Sequence, residues 1–309
     1  MEGFFLHRLS PFVWEISEGV GLRWYGCAYV AAFLLGARLY RWLSERKLSP
    51  LPPEQVSDFI TWAAVFGVMV GGRLGYMLLY DWEGLWSDPL STFEVWRGGM
   101  ASHGGILGLV FFTYYWAWKH RVSWTGIGDG LVVVAPVGIA LVRLANFING
   151  ELYGRVSPVA WAMQFPSELL ERPGLLAGTS LEGRAVDEIV RLARTDDAIA
   201  GVLRGVLPPR HPSQLYEAAL EGVVLFLVLF WVRTRLRVPR GVLTGLFFVG
   251  YALLRIVGEQ FRQPEDFNFG MPRGVFLSLF LVLLGLAFGV GAFRRAEYEE
   301  GLEKKPAQN

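Results

Sequence analysis

Residues 275–293 read VFLSLFLVLLGLAFGVGAF, a run without a single charged side chain. About 20 mostly apolar residues in a helix cross the roughly 30 Å hydrocarbon core of a bilayer. A helix suits that environment because it satisfies its own backbone polar groups. The run therefore predicts a transmembrane helix, and a membrane fold for the chain.

Six further segments have a similar composition. They cover residues 22–43, 59–80, 104–118, 128–148, 215–232 and 242–260. The segment 104–118 is short and rich in aromatic residues, so it either crosses the membrane at a tilt, which we favour, or dips into it. We predict an all-α polytopic membrane protein with about seven transmembrane helices and a small periplasmic head insert.

The overall composition agrees with a lipid environment. Hydrophobic residues make up 53% of the 309 residues and charged residues 18%, against about 25% in soluble domains. Mean hydropathy is +0.36. The net charge is only +1, and the arginines are dispersed rather than gathered in a basic stripe, so we expect no nucleic-acid partner.

Basic residues mark every second connection between the predicted spans. They are Arg41, Arg46, Lys47, Lys119, Arg121, Arg233, Arg235, Arg237, Arg240, Arg294 and Arg295, whereas Asp81, Glu83, Asp88, Glu94, Glu265 and Asp266 lie in alternate connections. Short cytoplasmic loops carry the excess of Lys and Arg. We therefore expect a periplasmic amino terminus and a cytoplasmic carboxyl terminus.

The same pattern divides the chain into four parts. Residues 1–150 carry helices 1–4, residues 215–293 carry helices 5–7, and residues 294–309 form a charged tail that we expect to be disordered. Between them, residues 151–214 form an outer insert with an amphipathic stretch over 187–206. A connection of this length is usually functional or folded.

Several ionisable and polar residues lie within the spans or at their ends. A charge at the centre of a membrane helix costs roughly 2.5–3.5 kcal/mol on insertion scales, so it normally faces the protein interior. One helical face carries Arg143, Asn146, Gly150 and Gly154 with Glu151 close by, and another carries Tyr251, Arg255, Glu259 and Arg262. Arg73 lies in the glycine-rich segment VGGRLGY (70–76), where glycines permit close helix packing, and Tyr25 lies at the outer end of the first span.

Two interpretations of these charges compete. Arg143 with Glu151, or Arg255 with Glu259, could form buried ion pairs that only hold helices together. Alternatively, the planar guanidinium groups bind a phosphate, and a phospholipid headgroup is the phosphate within reach. Several Arg-bearing faces together favour phospholipid binding for Arg143 and Arg255, while both interpretations stay open for Arg73 and Arg262.

Two histidines differ in their surroundings. His103 lies between glycines at the entrance of the third span, and an accessible imidazole there suits proton transfer near neutral pH. His211 precedes Pro212 and Ser213 at the start of the fifth span, where Pro212 fits the first helical turn and either Ser213 or His211 could cap the helix, so we favour a structural role for His211.

We expect no cofactor and no metal site. Cys27 is the only cysteine, no His-Glu-x-x-His motif occurs, and no span contains clustered Asp residues. A zinc protease and a metal-dependent phosphotransferase are therefore disfavoured. A transporter for an anionic or phosphorylated solute remains the alternative, although such a protein preferably shows paired repeats.

Four motifs resemble those of one family. They are RGGMASHGGILG (97–108), RLANFINGELYGR (143–155), PRHPSQLYEAALEG (209–222) and GYALLRIVGEQFRQPE (250–265). Together they resemble the bacterial prolipoprotein diacylglyceryl transferase family over nearly the whole chain, and the segment around Asn146 is the most specific. The insert around 169–203 has no motif that we can match.

The resemblance implies a seven-span enzyme of the bacterial inner membrane with a periplasmic head. Such an enzyme transfers the diacylglyceryl group of phosphatidylglycerol to the lipobox Cys of a prolipoprotein signal peptide, forming a thioether and releasing glycerol phosphate. Its partners are therefore phosphatidylglycerol, prolipoproteins and membrane lipids. This reaction is the first step of lipoprotein maturation.

Matching motif positions implies roles for individual residues. Arg143 and Arg255 stabilise the charge of the departing phosphate, and His103 is the expected base, with Glu259 or substrate-assisted deprotonation as alternatives. The other expected phospholipid-binding residues are Tyr25, Arg73, Asn146, Glu151, Gly154, Tyr251, Glu259 and Arg262. Within this set, Gly154 is expected to keep the backbone close.

Overall fold

The computed structural model describes residues 3–17, 19–88, 90, 99–264 and 267–303. Expectations that concern Glu94, Arg97, Gly98, Glu265, Asp266 and residues 304–309 lie outside these ranges.

Helices dominate the described residues. In chain order they are α1 Trp24–Glu45, α2 Val56–Trp62, α3 Gly71–Tyr80, α4 Trp82–Ser87, α5 Ser102–His120, α6 Trp124–Asn149, α7 Glu168–Glu171, α8 Val186–Leu192, α9 Asp197–Val206, α10 Ser213–Glu217, α11 Leu225–Arg235, α12 Val242–Glu259 and α13 Arg273–Glu303. The π-helical segments Ala63–Val70 and Ala218–Val224 join α2 to α3 and α10 to α11. The bounds follow the predicted spans closely at most ends.

Within the described ranges, five helical segments are long and apolar enough to cross a membrane. They are Pro53–Leu78, Trp124–Asn149, Ser213–Arg235, Val242–Glu259 and Arg273–Ala296. The prediction of a helical, multi-pass membrane protein is therefore confirmed, while the number seven stays a prediction. Helix α5, one of the two remaining long helices, is rich in Tyr and Trp, which favour membrane interfaces.

The expectation of a disordered tail is wrong for residues 294–303. Helix α13 continues through this charged segment to Glu303. Helix propensity explains the extension, because the segment RRAEYEEGLE consists mainly of Arg, Glu, Ala and Leu, which are good helix formers.

The chain divides into two compact units. Unit 1 comprises Met1–Ala32, Ala135–Trp231 and Gly245–Ala287, and unit 2 comprises Phe33–Val134, Val232–Thr244 and Phe288–Asn309. Each unit is described by itself below.

The insert in unit 1 folds around an apolar core of its own. The predicted amphipathic stretch 187–206 consists of two helices, α8 and α9, because Asp196 caps α9 by accepting hydrogen bonds from the backbone N–H groups of Ala198 and Ile199. The buried core includes Leu6, Leu169, Leu176, Leu181, Ile189, Ala193, Ile199, Ala200, Leu203 and Leu207. Burial of these side chains supplies the main driving force for folding the insert.

The described residues of unit 1 also contain three pairs of short strands, one of which connects the insert to the start of the chain. Strand β1 (Phe5–Leu6) pairs in parallel with β4 (Met163–Gln164). Between them in the chain, β2 (Phe12–Ser17) and β3 (Val20–Arg23) form an exposed antiparallel hairpin. A last hairpin joins β5 (Phe267–Asn268) to β6 (Met271–Pro272). The β1–β4 pair fixes the start of the chain against the insert.

Glycines bring two helices of unit 2 together. A Cβ atom on Gly75 would lie 2.4 Å from the Cα atom of Gly104, and a Cβ on Gly71 would lie 2.8 Å from that of Gly108. Only glycine permits such a close backbone approach. The prediction that the glycines around Arg73 allow close helix packing is therefore confirmed.

Asp129 is a second charged residue within a span of unit 2, and its hydrogen bonds explain why it is buried there. Its buried carboxylate accepts hydrogen bonds from the backbone N–H of Gly241 and from both the N–H and the hydroxyl of Thr244, at 2.7–2.9 Å. These donors lie at the start of α12, where backbone N–H groups lack helical partners. Asp129 therefore caps this helix.

Candidate active site

Three arginines of unit 1 converge on one carboxylate. Glu217 lies at the end of α10 and is fully buried. One of its oxygens lies 2.9 Å from Nε of Arg143, and the other lies 2.8 Å from Nη1 of Arg255 and 3.3 Å from Nη1 of Arg262. A single side chain thus contacts three separate positive charges.

Two further carboxylates complete this group. Glu221, one helical turn after Glu217 and also fully buried, lies 3.3 Å from Arg255 and 3.8 Å from Arg143. Glu259 lies 3.1 Å from Nη2 of Arg255. We call Arg143, Glu217, Glu221, Arg255, Glu259 and Arg262 the Arg–Glu cluster.

Five of the six members of the Arg–Glu cluster are held by helical segments, and Arg262 follows the end of α12. Arg143 comes from α6, Glu217 from α10, and Glu221 from the π-helical segment that follows. Arg255 and Glu259 are four residues apart on α12, so they lie on one face. Because the charges come from three different helices, the cluster joins them inside unit 1.

The formal charges of the cluster balance, three positive against three negative. The guanidinium groups nevertheless retain a share of exposure, with 18% of the Arg143 side chain and 13% of the Arg255 side chain accessible. Each guanidinium has five N–H donors, and the ion pairs occupy only part of them. The cluster can therefore present oriented donors to a phosphate while its carboxylates hold the guanidinium groups.

A second polar group lies at the end of α6. The hydroxyl of Tyr25 donates to Oε1 of Glu151, and the amide nitrogen of Asn146 donates both to the same oxygen, at 2.9 Å, and to the Tyr25 hydroxyl oxygen. Asn146 is buried. The sequence predicted that these residues share a site, and the structure brings them into direct contact.

The partner of Arg143 differs from the one considered in the sequence. Glu151 contacts Tyr25 and Asn146, whereas the described ion pairs of Arg143 are with Glu217 and Glu221. The reason is the turn after α6, where Gly150 has a left-handed φ of +72° and redirects the chain before Glu151. The Arg255–Glu259 ion pair, by contrast, forms as considered.

The start of α10 connects the two polar groups. The side-chain amide of Gln214 donates to the backbone carbonyl of Glu151, and the hydroxyl of Ser213 donates to that of Leu152 at 3.1 Å. Ser213 thus binds the preceding loop, and within the described contacts no side chain caps the N-terminus of α10. The capping role considered for His211 or Ser213 is therefore wrong.

The prediction that Gly150 and Gly154 share a helical face with Arg143 is wrong, because α6 ends at Asn149. Gly154 instead lies where three backbone segments meet. Its N–H donates to the carbonyl of His211 at 2.9 Å, and the N–H of Arg155 donates to the carbonyl of Phe261 at 2.9 Å. A Cβ atom on Gly154 would lie 2.3 Å from the Phe261 carbonyl oxygen. A side chain at this position would push apart the segments that lead to Glu217 and to Arg262.

Tyr251 belongs to the same helix face as Arg255. It lies one turn earlier on α12, and its ring stacks on Phe247 with 5.9 Å between centroids. This placement agrees with the predicted face for Tyr251, Arg255 and Glu259, but the prediction is wrong for Arg262, because α12 ends at Glu259.

His103 and Arg73 belong to unit 2. His103 is exposed at the second residue of α5. Arg73 is buried, donates from Nη1 to the carbonyl of Gly99 at 3.1 Å, and lies over the ring of Tyr76. The remaining predicted residues, from Tyr25 to Arg262, lie in unit 1.

Glu217 and Glu221 are the site residues that the sequence analysis missed. The motif 209–222 was recognised, but no role was given to its carboxylates. Their signal was available, because two acidic residues four positions apart at the start of a span face the same side and are costly unless paired.

Arg210 was also missed. Its guanidinium binds both oxygens of Glu168, at 2.6 and 2.5 Å, and donates to the carbonyl of Gly154 at 3.0 Å. Both side chains are buried, and the Arg210 guanidinium lies over the ring of Tyr153. This bidentate pair and the bond to Gly154 hold the two ends of the insert together.

The histidines of unit 1 outside the helices are shifted towards the neutral form. Burial lowers the pKa of His211, whose Nδ1 lies 3.2 Å from the hydroxyl of Tyr216. Burial among Phe147 and Phe165 lowers the pKa of His7 to about 4, although its hydrogen bond with the Phe147 backbone acts in the opposite direction. Among the described residues, no group of three His, Cys, Asp or Glu side chains could hold a metal ion.

Comparison with known proteins identifies the family. A sequence model of the prolipoprotein diacylglyceryl transferase family matches residues 11–290. The chain belongs to this family. The match includes every residue of the Arg–Glu cluster and of the Tyr25 group.

Relatives of the chain carry the same family description over nearly their full length. A phosphatidylglycerol–prolipoprotein diacylglyceryl transferase of Rhodospirillum centenum is 39% identical over 297 residues, which cover 93% of this chain and 92% of the relative. Proteins of the same name from Pseudoalteromonas atlantica and Vibrio cholerae are 36% and 35% identical, each over 96% of this chain and 94% and 97% of the relative.

Membership of the prolipoprotein diacylglyceryl transferase family confirms the family predicted from the four motifs. It also confirms that the chain is a membrane-bound transferase. The transporter alternative finds no support in these relatives.

Proposed function

We propose that this chain transfers the diacylglyceryl group of phosphatidylglycerol to the thiol of the lipobox Cys of a prolipoprotein. The observation that carries the proposal is the convergence of Arg143, Arg255 and Arg262 on buried Glu217, in a chain of this transferase family. These guanidinium groups suit the phosphate of the lipid substrate.

The reaction requires three events. The thiol loses its proton, because the thiolate is the nucleophile. Its sulfur then forms a bond to the glyceryl carbon that carries the phosphate ester, and the bond between this carbon and the ester oxygen breaks. Glycerol phosphate leaves with that oxygen and its electron pair, and the products are the thioether and glycerol phosphate.

The Arg–Glu cluster supplies electrostatic stabilisation of the leaving group. Arg143 and Arg255 donate to the phosphate oxygens as negative charge grows on them, and Arg262 adds a third positive charge. Oriented donors of this kind are most effective when they do not reorganise during the reaction. The ion pairs with Glu217, Glu221 and Glu259 provide that orientation.

The remaining residues bind and orient the phospholipid headgroup. The Tyr25, Asn146 and Glu151 group offers hydroxyl, amide and carboxylate atoms that suit the hydroxyls of the glycerol headgroup. Tyr251 binds the headgroup beside Arg255, and Arg73 provides an additional cation for the lipid. Gly154 keeps the supporting backbone segments together.

His103 takes the thiol proton in this proposal. Its exposed position at the start of α5 supports access to a peptide substrate, and an imidazole suits proton transfer near neutral pH. Glu259 is engaged with Arg255 in an ion pair, which makes it a poorer candidate for the base.

The proposed topology places this chemistry at the outer half of a bacterial inner membrane. Residues 1–150 carry spans 1–4 with a periplasmic amino terminus, residues 151–214 form a periplasmic head, residues 215–293 carry spans 5–7, and residues 294–309 are cytoplasmic. The alternation of basic and acidic connections supports this arrangement. Both substrates, a phospholipid and a tethered signal peptide, then arrive through the bilayer.

One assay tests the activity directly. Detergent-solubilised protein is mixed with phosphatidylglycerol labelled in its acyl chains and a signal peptide that ends in Leu-Ala-Gly-Cys, and the mass of the peptide is followed. We expect a labelled thioether product. Folded protein that yields no such product would contradict the proposal.

Variants of the cluster test the headgroup assignment. Arg143→Ala and Arg255→Ala should abolish transfer without loss of expression, whereas Arg41→Ala, which removes an exposed arginine paired with Glu45, should leave it unchanged. Full activity in both cluster variants would show that the headgroup assignment is wrong.

A further inference from the structure

A long trough runs along the surface of unit 2, between the segment Val56–Tyr80 and helix α5. Its volume is about 890 Å³. It extends from Asp58 to Leu74, about 24 Å along the helix axis at a rise of about 1.5 Å per residue. This length exceeds half of the roughly 30 Å hydrocarbon core.

The floor of the trough is formed where the two helices are closest. Gly71 and Gly108 lie there without side chains, and the buried ring of Trp116 continues the floor towards Asp58. Glycines on both helices lower the floor below the level of the neighbouring side chains. The surface is therefore concave, unlike the convex face of a single membrane helix.

The walls consist of large apolar side chains that point outwards. Trp62, Phe66 and Leu74 form one wall and are 43–53% exposed, while Phe111 and Tyr115 form the other and are 71% and 51% exposed. Apolar walls over a glycine floor fit a hydrocarbon chain.

A π-helical segment shapes the first wall. In a regular α-helix, residues four apart drift around the axis, because one turn contains 3.6 residues. The wider π-helical turn of Ala63–Val70 counters this drift, so Trp62, Phe66 and Val70 stay in one row. Such segments are frequent at functional sites.

One end of the trough carries opposite charges. Asp58 lies on the first helix, and Lys119 and His120 lie on the second. The Lys119 ammonium is 5.9 Å from the centre of the Tyr115 ring, and the His120 ring stacks on Trp116 at 4.4 Å. This end of the trough, which we call its mouth, thus has one acidic side and one basic side. The basic side lies over the aromatic rings of Tyr115 and Trp116.

We propose that this trough binds one diacyl phospholipid whose headgroup carries both a phosphate and a primary ammonium group. An acyl chain lies on the glycine floor, the phosphate lies at Lys119 and His120, and the ammonium lies at Asp58. This lipid differs in charge from phosphatidylglycerol, whose headgroup has no positive charge to pair with Asp58.

Charge complementarity distinguishes this lipid from other occupants. A basic peptide segment pairs with Asp58 but not with Lys119, and a purely anionic lipid pairs with Lys119 but leaves Asp58 without a cation. Each of them forms one ion pair where a zwitterionic headgroup forms two. A zwitterionic headgroup uses both sides of the mouth.

Native mass spectrometry of the full chain tests the proposal. The protein is stripped of lipid in detergent and titrated with phosphatidylethanolamine or phosphatidylglycerol of identical acyl chains. We expect one phosphatidylethanolamine per chain to bind more tightly than phosphatidylglycerol, by up to about fivefold, as expected for one partly exposed ion pair. Equal binding of the two lipids would overturn the headgroup assignment.

Two variants locate the bound lipid. Asp58→Asn should remove the preference for phosphatidylethanolamine, and Val70→Trp should fill the trough and abolish binding of the added lipid. Val290→Trp, on an exposed position of α13 that does not line the trough, is the matched control and should bind as the unmodified protein does.

Thermal unfolding of each variant shows whether it is folded. Asp58 is exposed, so we expect Asp58→Asn to fold normally. This variant therefore tests the proposal even if Val70→Trp does not fold. The proposal is overturned if folded Val70→Trp still binds the added lipid, if Asp58→Asn keeps the preference, or if a signal peptide or a second copy of the chain displaces the lipid.

Discussion

The Nε atom of Arg143 lies 2.9 Å from the fully buried carboxylate of Glu217. The residue proposed to bind the lipid phosphate is therefore held by a residue on another helix. Since Glu217 also contacts Arg255 and Arg262, its charge and geometry affect the whole Arg–Glu cluster.

Replacement of Glu217 by Gln tests this positioning role. Loss of the negative charge leaves three guanidinium groups with two carboxylates, so phosphatidylglycerol should bind at least as well while the donors lose their orientation. We expect kcat to fall at least about tenfold without a rise in KM for phosphatidylglycerol. The thermal midpoint should also fall, because a buried ion-pair partner is lost.

Glu221→Gln is the comparison for this prediction. Its contacts with Arg255 and Arg143 are longer, at 3.3 and 3.8 Å, so the effect on kcat should be smaller. A rise in KM with unchanged kcat in Glu217→Gln would contradict a positioning role.

Replacement of Arg143 by Lys tests the need for a planar fork. Lysine keeps the charge but cannot hold the Glu217 carboxylate and donate to a phosphate in the same fixed geometry. We expect kcat to fall about 100-fold, the usual size for loss of one transition-state donor. The labelled-peptide assay measures this change, and Arg41→Lys should remain fully active.

Replacement of Gly154 by Ala tests the close meeting of three backbone segments. The new Cβ would lie 2.3 Å from the carbonyl oxygen of Phe261, so either the contact or the fold must give way. We expect a lower thermal midpoint and loss of most activity. Gly174→Ala is the control, because nothing lies within 4 Å of its Cβ position; equal behaviour of the two variants would refute the explanation.

The buried His7 predicts a loss of stability in acid. Its pKa is about 4 in the folded chain and about 6.5 in an unfolded one, so between these values the unfolded state binds the extra proton. The free energy of unfolding should therefore fall by up to ~3 kcal/mol as the pH drops from 6.5 to 4.

The variant His7→Phe isolates this effect. It preserves ring packing against Phe147 and Phe165 but does not titrate. Its thermal midpoint, measured from pH 7 to pH 4.5, should decline less steeply than that of the unmodified protein. Parallel curves would assign the acid sensitivity to other groups.

The sequence predicted the helices more reliably than their contacts. Runs of apolar residues located α6 and α12 within a few residues, because hydrocarbon imposes a length and an internally bonded backbone on any span. The period of 3.6 residues likewise placed Arg143 with Asn146, and Arg255 with Glu259. The prediction of a disordered tail was wrong for residues 294–303, because charged residues at a chain end do not by themselves prevent a helix.

Contacts between helices were harder to predict from the sequence. The sequence offered Glu151 as a partner for Arg143, and only the turn at Gly150 and the position of α10 made Glu217 the partner. The roles of Arg210 and Gly154 depend on the same kind of packing, in which segments far apart in the chain meet.

The sequence by itself determined that this chain is a helical membrane protein of a recognisable transferase family, with charged residues on defined helix faces. Length, hydropathy and helical period are local properties, so they can be read along the chain. Only the tertiary structure decided which carboxylate meets which guanidinium and where a glycine is required. Those outcomes depend on distances between helices, which local spacing does not contain.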